Sequence, residues 1–123
     1  MGDLKLGAVE SRFADIIWDR APLGSGELVK LCEQELGWKK STTYTVLKRL
    51  CDRGIFQNQS GTVTALLSKG ELAALQSEQF VAEAFSGSLP AFLAAFAQGA
   101  PLSQKDIADI RALIDRFEQE GQT

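Results

Sequence analysis

The residues best equipped for chemistry lie between Trp38 and Gly54, where Lys39, Lys40, Lys48, Arg49 and Arg53 stand against a single acid, Asp52. The whole chain carries a formal net charge of −3, so this basic stretch presents a local field that the overall balance conceals. Read at helical spacing from about Lys40 to Arg53, Val46, Leu47, Leu50 and Cys51 form an apolar face. Ser41, Tyr44, Thr45, Lys48, Arg49 and Asp52 form the opposite face. That second face suits a polyanion. Lys39, Lys40, Lys48 and Arg49 can pair with phosphates, and Ser41, Thr42 and Thr45 can hydrogen-bond phosphates or base edges. Tyr44 offers a ring to a thymine methyl and a hydroxyl to a phosphate. The same residues also fit a plain structural reading: a solvated helix face on which Arg49 pairs with an acid of the preceding helix and Tyr44 covers the core.

Enzymatic chemistry finds little to work with. The sequence has no histidine, which removes the commonest general base, the usual metal ligand and any His-based triad. Cys32 and Cys51 form no CxxC pair, so a zinc site lacks its ligands. Both lie on apolar stripes and read as core thiols rather than as a redox switch. No Gly-rich loop follows a strand. No cofactor and no metal are expected. The sparse cysteines suit a reduced, cytoplasmic compartment. The start, MGDLKLGAVESRF, scatters charges where a signal peptide needs an apolar run. The longest low-charge stretch, Ala84 to Pro101, is too short and too polar to span a bilayer.

Several elements must position the basic stretch. At 123 residues the chain has the length of one domain, or of one small domain with an appendage. Val9, Phe13, Ile16, Ile17 and Arg20 recur at helical spacing between Gly7 and Arg20, with Trp18 beside that stripe. Ala21-Pro22-Leu23-Gly24 punctuates the chain. Ser25 is placed to cap a second helix with Leu28, Val29, Cys32 and Leu36 on its apolar face and Gly37 as its stop. After the basic helix, Ile55 to Leu67 reads as two short extended runs around a polar Asn58-Gln59-Ser60-Gly61 turn, a β-hairpin. Helix, helix, helix, hairpin is the plan of a winged helix-turn-helix, in which the helix over residues 40–53 would enter the major groove.

Three further helices are expected. Ser68 with Glu71 makes a capping box for one running to about Phe85. Gly87 breaks it, and Ser88-Leu89-Pro90 opens a short apolar helix, Ala91 to Gln98. Ser103 starts a last helix with Ile107, Ile110, Leu113, Ile114 and Phe117 as its stripe. The fold class is therefore mainly α with a small β-hairpin wing. Residues 1–69 are assigned to a winged-helix DNA-binding domain and 70–123 to a helical dimerisation domain. The later helices have too little material to bury themselves, so a second copy is the expected cover. Leu75, Phe80, Phe85, Leu89, Phe92, Phe96, Ile107, Ile110, Leu113, Ile114 and Phe117 are its expected contacts.

The stretch Trp38-Lys39-Lys40-Ser41-Thr42-Thr43-Tyr44-Thr45-Val46-Leu47-Lys48-Arg49-Leu50 resembles the recognition-helix pattern of the BlaI/MecI/CopY family of bacterial transcriptional repressors. That pattern is Trp, a few polar residues, then Thr-x-x-Thr-x-Leu-x-Arg-Leu. Leu6-Gly7-Ala8-Val9-Glu10 and Ile16-Ile17-Trp18 are similar to the family's first helix. Phe85-Ser86-Gly87-Ser88-Leu89 and Leu102-Ser103 are similar to its marks around the fifth. The resemblance covers about Leu6 to Phe117. It implies a homodimer joined by the C-terminal helices that binds a palindromic operator on double-stranded DNA and blocks transcription. It also implies release by proteolysis, under a membrane sensor protease, between an Asn and a Phe. The matching positions are Ala95 and Phe96, so the Phe is kept and the Asn is not. By its residues alone, Phe96 reads first as an apolar packing residue.

Other departures shape the expectations. The wing has no cation from Phe56 through Ser68, which leaves Asn58, Gln59 and Thr62 as neutral donors to phosphates. The family's copper-responsive branch carries a C-terminal cysteine cluster, and no cysteine follows Cys51 here. The competing reading is a winged-helix module that docks proteins without specific DNA binding, because fold alone does not fix function.

Overall fold

A computed structural model describes residues 4–121. In chain order the elements are α1 (Ala8–Arg20), β1 (Leu23–Gly24), α2 (Ser25–Leu36), α3 (Lys40–Asp52), β2 (Phe56–Gln59), β3 (Thr62–Ala65), α4 (Lys69–Phe85), α5 (Leu89–Gly99) and α6 (Gln104–Gly121). The fold is mainly helical with a small antiparallel sheet in the order β1-β3-β2, a winged helix followed by a helical C-terminal region.

The first compact unit ends at Gln79. Phe13, Ile17, Leu28, Leu50, Ile55, Phe56 and Val63 are fully buried in one cluster drawn from three helices and the sheet. Each contributes about 1.5–3 kcal/mol by leaving water, and no element here is long enough to stand without the others. Trp18 lies against Phe56 with ring centroids 5.4 Å apart, and its indole N–H donates to the Leu67 carbonyl at 2.9 Å. Trp38 stacks on Phe13 at 5.3 Å. The end of α3 is closed by Gly54 at φ +80°. There the Gly54 N–H reaches the Cys51 carbonyl at 2.9 Å, and the Ile55 N–H reaches that of Leu50 at 3.1 Å.

Four local expectations are corrected. Leu23–Gly24 is a strand, not mere punctuation: Leu23 pairs with Val63 and Gly24 with Thr62, adding a third strand to the hairpin. Ser25 is the first residue of α2, and Gly24 holds the cap position. Asn58 and Gln59 belong to β2, so the turn is only Ser60-Gly61, with φ of 52° and 87°. Both central residues at positive φ make the tight hairpin turn whose twist matches its strands. Val9 is 51% exposed and leaves the α1 stripe to Phe13, Ile16 and Ile17.

The first turns of α4 pack with this unit rather than after it. Leu72 is buried in the core. The Gln76 side-chain amide donates to the Leu4 carbonyl at 2.8 Å, and the Leu4 N–H donates to Gln79 Oε1 at 3.3 Å. The compact division therefore falls between Gln79 and Phe80, inside α4, later than the 69/70 boundary read from composition. Ser68 and Glu71 form the expected reciprocal cap at 3.0 and 2.9 Å. Glu71 is held below the usual carboxylate range by the Ser68 N–H and hydroxyl.

The second unit begins at Phe80. Ser88 caps α5 by accepting from the Ala91 N–H at 3.1 Å, and Ser103 accepts from the Asp106 N–H at 3.0 Å at the start of α6. Phe80, Phe85, Phe92 and Phe96 form a connected aromatic row, with centroids 5.5–6.4 Å apart. Among the described residues, no side chain of α5 or α6 is buried.

Candidate nucleic-acid interface

Helix α3 is fixed from its inner side. Val46, Leu47 and Leu50 are buried, and so is Thr43, whose hydroxyl donates to the Lys39 carbonyl at 3.3 Å. This anchoring turns Ser41, Thr42, Thr45, Lys48 and Arg49 outward, all of them exposed, with Lys39 and Lys40 exposed at the helix start. The Thr45 hydroxyl donates back to the Ser41 carbonyl at 2.9 Å, leaving its oxygen lone pairs directed to solvent partners. Lys39 and Lys40 have no ion-pair partner among the described residues, whereas Lys48 pairs with Asp52 at 3.1 Å.

Two of the expected groove residues are engaged within the fold. Tyr44 is half-buried against the core, and its hydroxyl donates to Ser25 Oγ at 3.1 Å. Arg49 Nη1 meets Glu10 Oε2 at 3.3 Å, with the arginine side chain 51% exposed and the glutamate 18%. The acid therefore comes from α1, not from the preceding helix. The other oxygen of Glu10 accepts from the Gly7 N–H at 3.2 Å, capping α1. That backbone bond is the largest influence holding Glu10 below its ordinary pKa; Arg49 and Arg53 add to it, and burial opposes them. In the sequence Glu10 stands out only within the Leu6-Gly7-Ala8-Val9-Glu10 motif, and no local spacing signals its partnership with Arg49.

In the wing, Asn58, Gln59 and Thr62 are exposed. Asn58 Oδ1 accepts from the Gly61 N–H at 3.2 Å across the exposed turn, and Gln59 and Thr62 flank Ser60-Gly61. A cleft of about 320 Å³ between α3 and the wing is lined by Leu47, Lys48, Cys51 and Asn58. Burial pushes the thiols of both Cys32 and Cys51 upward, away from the thiolate that redox or metal chemistry needs. Among the described residues no three potential metal ligands cluster.

The residues expected at a dimer contact divide by exposure. Leu75, Phe80, Leu89, Phe96, Leu113, Ile114 and Phe117 are exposed, while Phe85, Phe92, Ile107 and Ile110 are half-buried. A largely apolar hollow of about 300 Å³ between α5 and α6 is lined by Phe92, Leu93, Phe96, Leu102 and Ile110, together with Asp106 and Asp109. Ala95 and Phe96 sit within α5.

A basic, outward-facing helix held by two others and flanked by a small wing defines the winged-helix class of DNA-binding proteins. The model of the penicillinase repressor family matches residues 6–116, and the chain belongs to that family. Its members are DNA-binding transcriptional repressors, not enzymes. A search of curated proteins found no match.

Proposed function

We propose that the protein represses transcription as a homodimer that sets one α3 into each half of a palindromic operator. The observation that carries this reading is the pairing of two surfaces: an exposed basic α3 on the winged helix, and a C-terminal unit with no buried side chain in α5 or α6. Lys39 and Lys40 supply phosphate contacts at the start of α3, with Ser41, Thr42 and Thr45 beside them for phosphates or base edges. Lys48 and Arg49 extend the contact along the helix. Asn58, Gln59 and Thr62 add neutral bonds from the wing. The exposed apolar side chains of α5 and α6 pack on those of a second copy, which places two half-sites under one association event.

The family also supports a release step, a cut between Ala95 and Phe96 controlled by a membrane sensor protease. That bond lies inside a helix, so cleavage requires α5 to unwind, and the protease must accept Ala95 where the family has Asn. The cut would divide the aromatic row and with it the dimer contact. The repressor is expected to work in the cytoplasm, where its DNA is; no single helix among the described residues is long and apolar enough to cross a membrane.

The test is titration of the purified chain against DNA from upstream of its own gene, with nonspecific competitor and a salt series. Saturation at two chains per palindrome, with affinity falling steeply as salt rises, is the expected result. No specific binding up to micromolar protein would overturn it.

A further inference from the structure

We infer that Glu10 is a positioning residue for DNA binding: it holds the Arg49 guanidinium in the orientation in which that group meets a backbone phosphate. The inference rests on the DNA-binding reading above and concerns a residue of α1 rather than of α3.

Three observations support it. First, the contact joins helices far apart in sequence, from α3 to α1, with Arg49 Nη1 and Glu10 Oε2 at 3.3 Å. Second, its two partners differ in access. The carboxylate is 18% exposed and the guanidinium 51%, so the pair offers solvent mainly its cation. Among the described residues, one donor of the guanidinium is engaged, which leaves the others of its planar fork for phosphate oxygens. Third, Glu10 is itself fixed, because its other oxygen is bonded to the Gly7 N–H at 3.2 Å. An anchored acid behind a long cation removes rotamer freedom that binding would otherwise have to remove.

The negative charge of Glu10 acts the other way, repelling phosphates. That repulsion is weakened by screening over a Debye length of about 8 Å at physiological salt. The second acid near this face provides the contrast. Asp52 and Lys48 form an exposed pair within one helix, with side chains 65% and 77% accessible, which orients little. If only charge mattered, removing either acid would strengthen DNA binding. If Glu10 positions Arg49, the two removals act in opposite directions.

The experiment is an anisotropy titration of the full chain with its operator duplex, comparing parent, Glu10→Gln, Glu10→Asp and Asp52→Asn. Each is also made in an Arg49→Ala background, with thermal melts to verify folding. Glutamine keeps an oxygen for the Gly7 N–H, and aspartate keeps the charge while falling one methylene short of Arg49. Both substitutions at Glu10 are expected to weaken binding about three- to tenfold. Asp52→Asn is expected to leave binding equal or tighter. In the Arg49→Ala background the Glu10 substitutions are expected to have no further effect. Tighter binding by Glu10→Gln, or a loss that persists undiminished without Arg49, would overturn the inference. Failure of the parent to bind would instead overturn the DNA reading and this inference with it.

Discussion

The Tyr44 hydroxyl donates to Ser25 Oγ at 3.1 Å, tying the centre of α3 to the first residue of α2. The Ser25 N–H in turn donates to the Gly61 carbonyl at 2.8 Å, in the tip of the wing. Helix α3, helix α2 and the wing are thus joined through one serine. The phenol belongs to this linkage and to the core packing beneath it, which removes it from the side chains most free to read a base.

Tyr44→Phe should therefore cost stability more than binding. Loss of the hydroxyl is expected to lower the unfolding free energy by about 0.5–1.5 kcal/mol while leaving operator affinity nearly unchanged. Urea unfolding and an anisotropy titration on the same preparations check both. A large loss of affinity at unchanged stability would return Tyr44 to the groove.

Lys40 has no acidic partner among the described residues and stands at the start of α3. Lys40→Ala is expected to weaken binding to operator and nonspecific DNA alike. It should also reduce the slope of log affinity against log salt by about 1. A loss confined to one operator sequence would instead assign Lys40 to a base edge.

Glu10 gives the stability a pH dependence with a defined sign. Its folded pKa is lowered, chiefly by the Gly7 N–H and then by Arg49 and Arg53. The stability conferred by its ionised form is fully present above the unfolded value of about 4.3 and is lost as pH falls through the lower folded value. Urea midpoints of the parent and Glu10→Gln should accordingly differ most above the unfolded value, with the difference shrinking as pH falls below it. A difference that stays constant across that range would show that the charge of Glu10 contributes nothing.

Ile114 is 49% exposed in the single chain, on the apolar stripe of α6. Ile114→Asp should leave the winged helix folded yet shift the protein toward monomer in sedimentation analysis. Operator affinity should fall with it, because each half-site is then bound separately. An unchanged dimer would place the contact on another face.

The periodic helices of this fold, their polar caps and the hairpin are legible in the sequence, whereas contacts between distant elements are not. Phe13, Ile16 and Ile17, then Leu28 and Cys32, then Val46, Leu47 and Leu50 announce three amphipathic helices, and all are buried. The caps at Ser68 and Ser103 are legible because a hydroxyl and an acid at fixed spacing satisfy free helix N–H groups. Strand β1 is not legible, since two residues after a proline carry no alternation. Val9 misleads because it has the right spacing for α1 but lies in its first turn, where the core no longer reaches. At the interface, the outward residues of α3 follow from the helix period, as α3 exposes Ser41, Thr42, Thr45, Lys48 and Arg49. The partners of Tyr44 and Arg49 depend on how whole helices cross, which residue spacing does not encode.

The bonds from Gln76 and Gln79 to Leu4, together with burial of Leu72, set where the protein can be cut into usable pieces. A fragment ending at Lys69 would strip Leu72 from the core and leave the Leu4 backbone unclasped, and it should be soft or unfolded at ordinary temperatures. One ending just beyond Gln79 keeps both and is expected to fold as a unit.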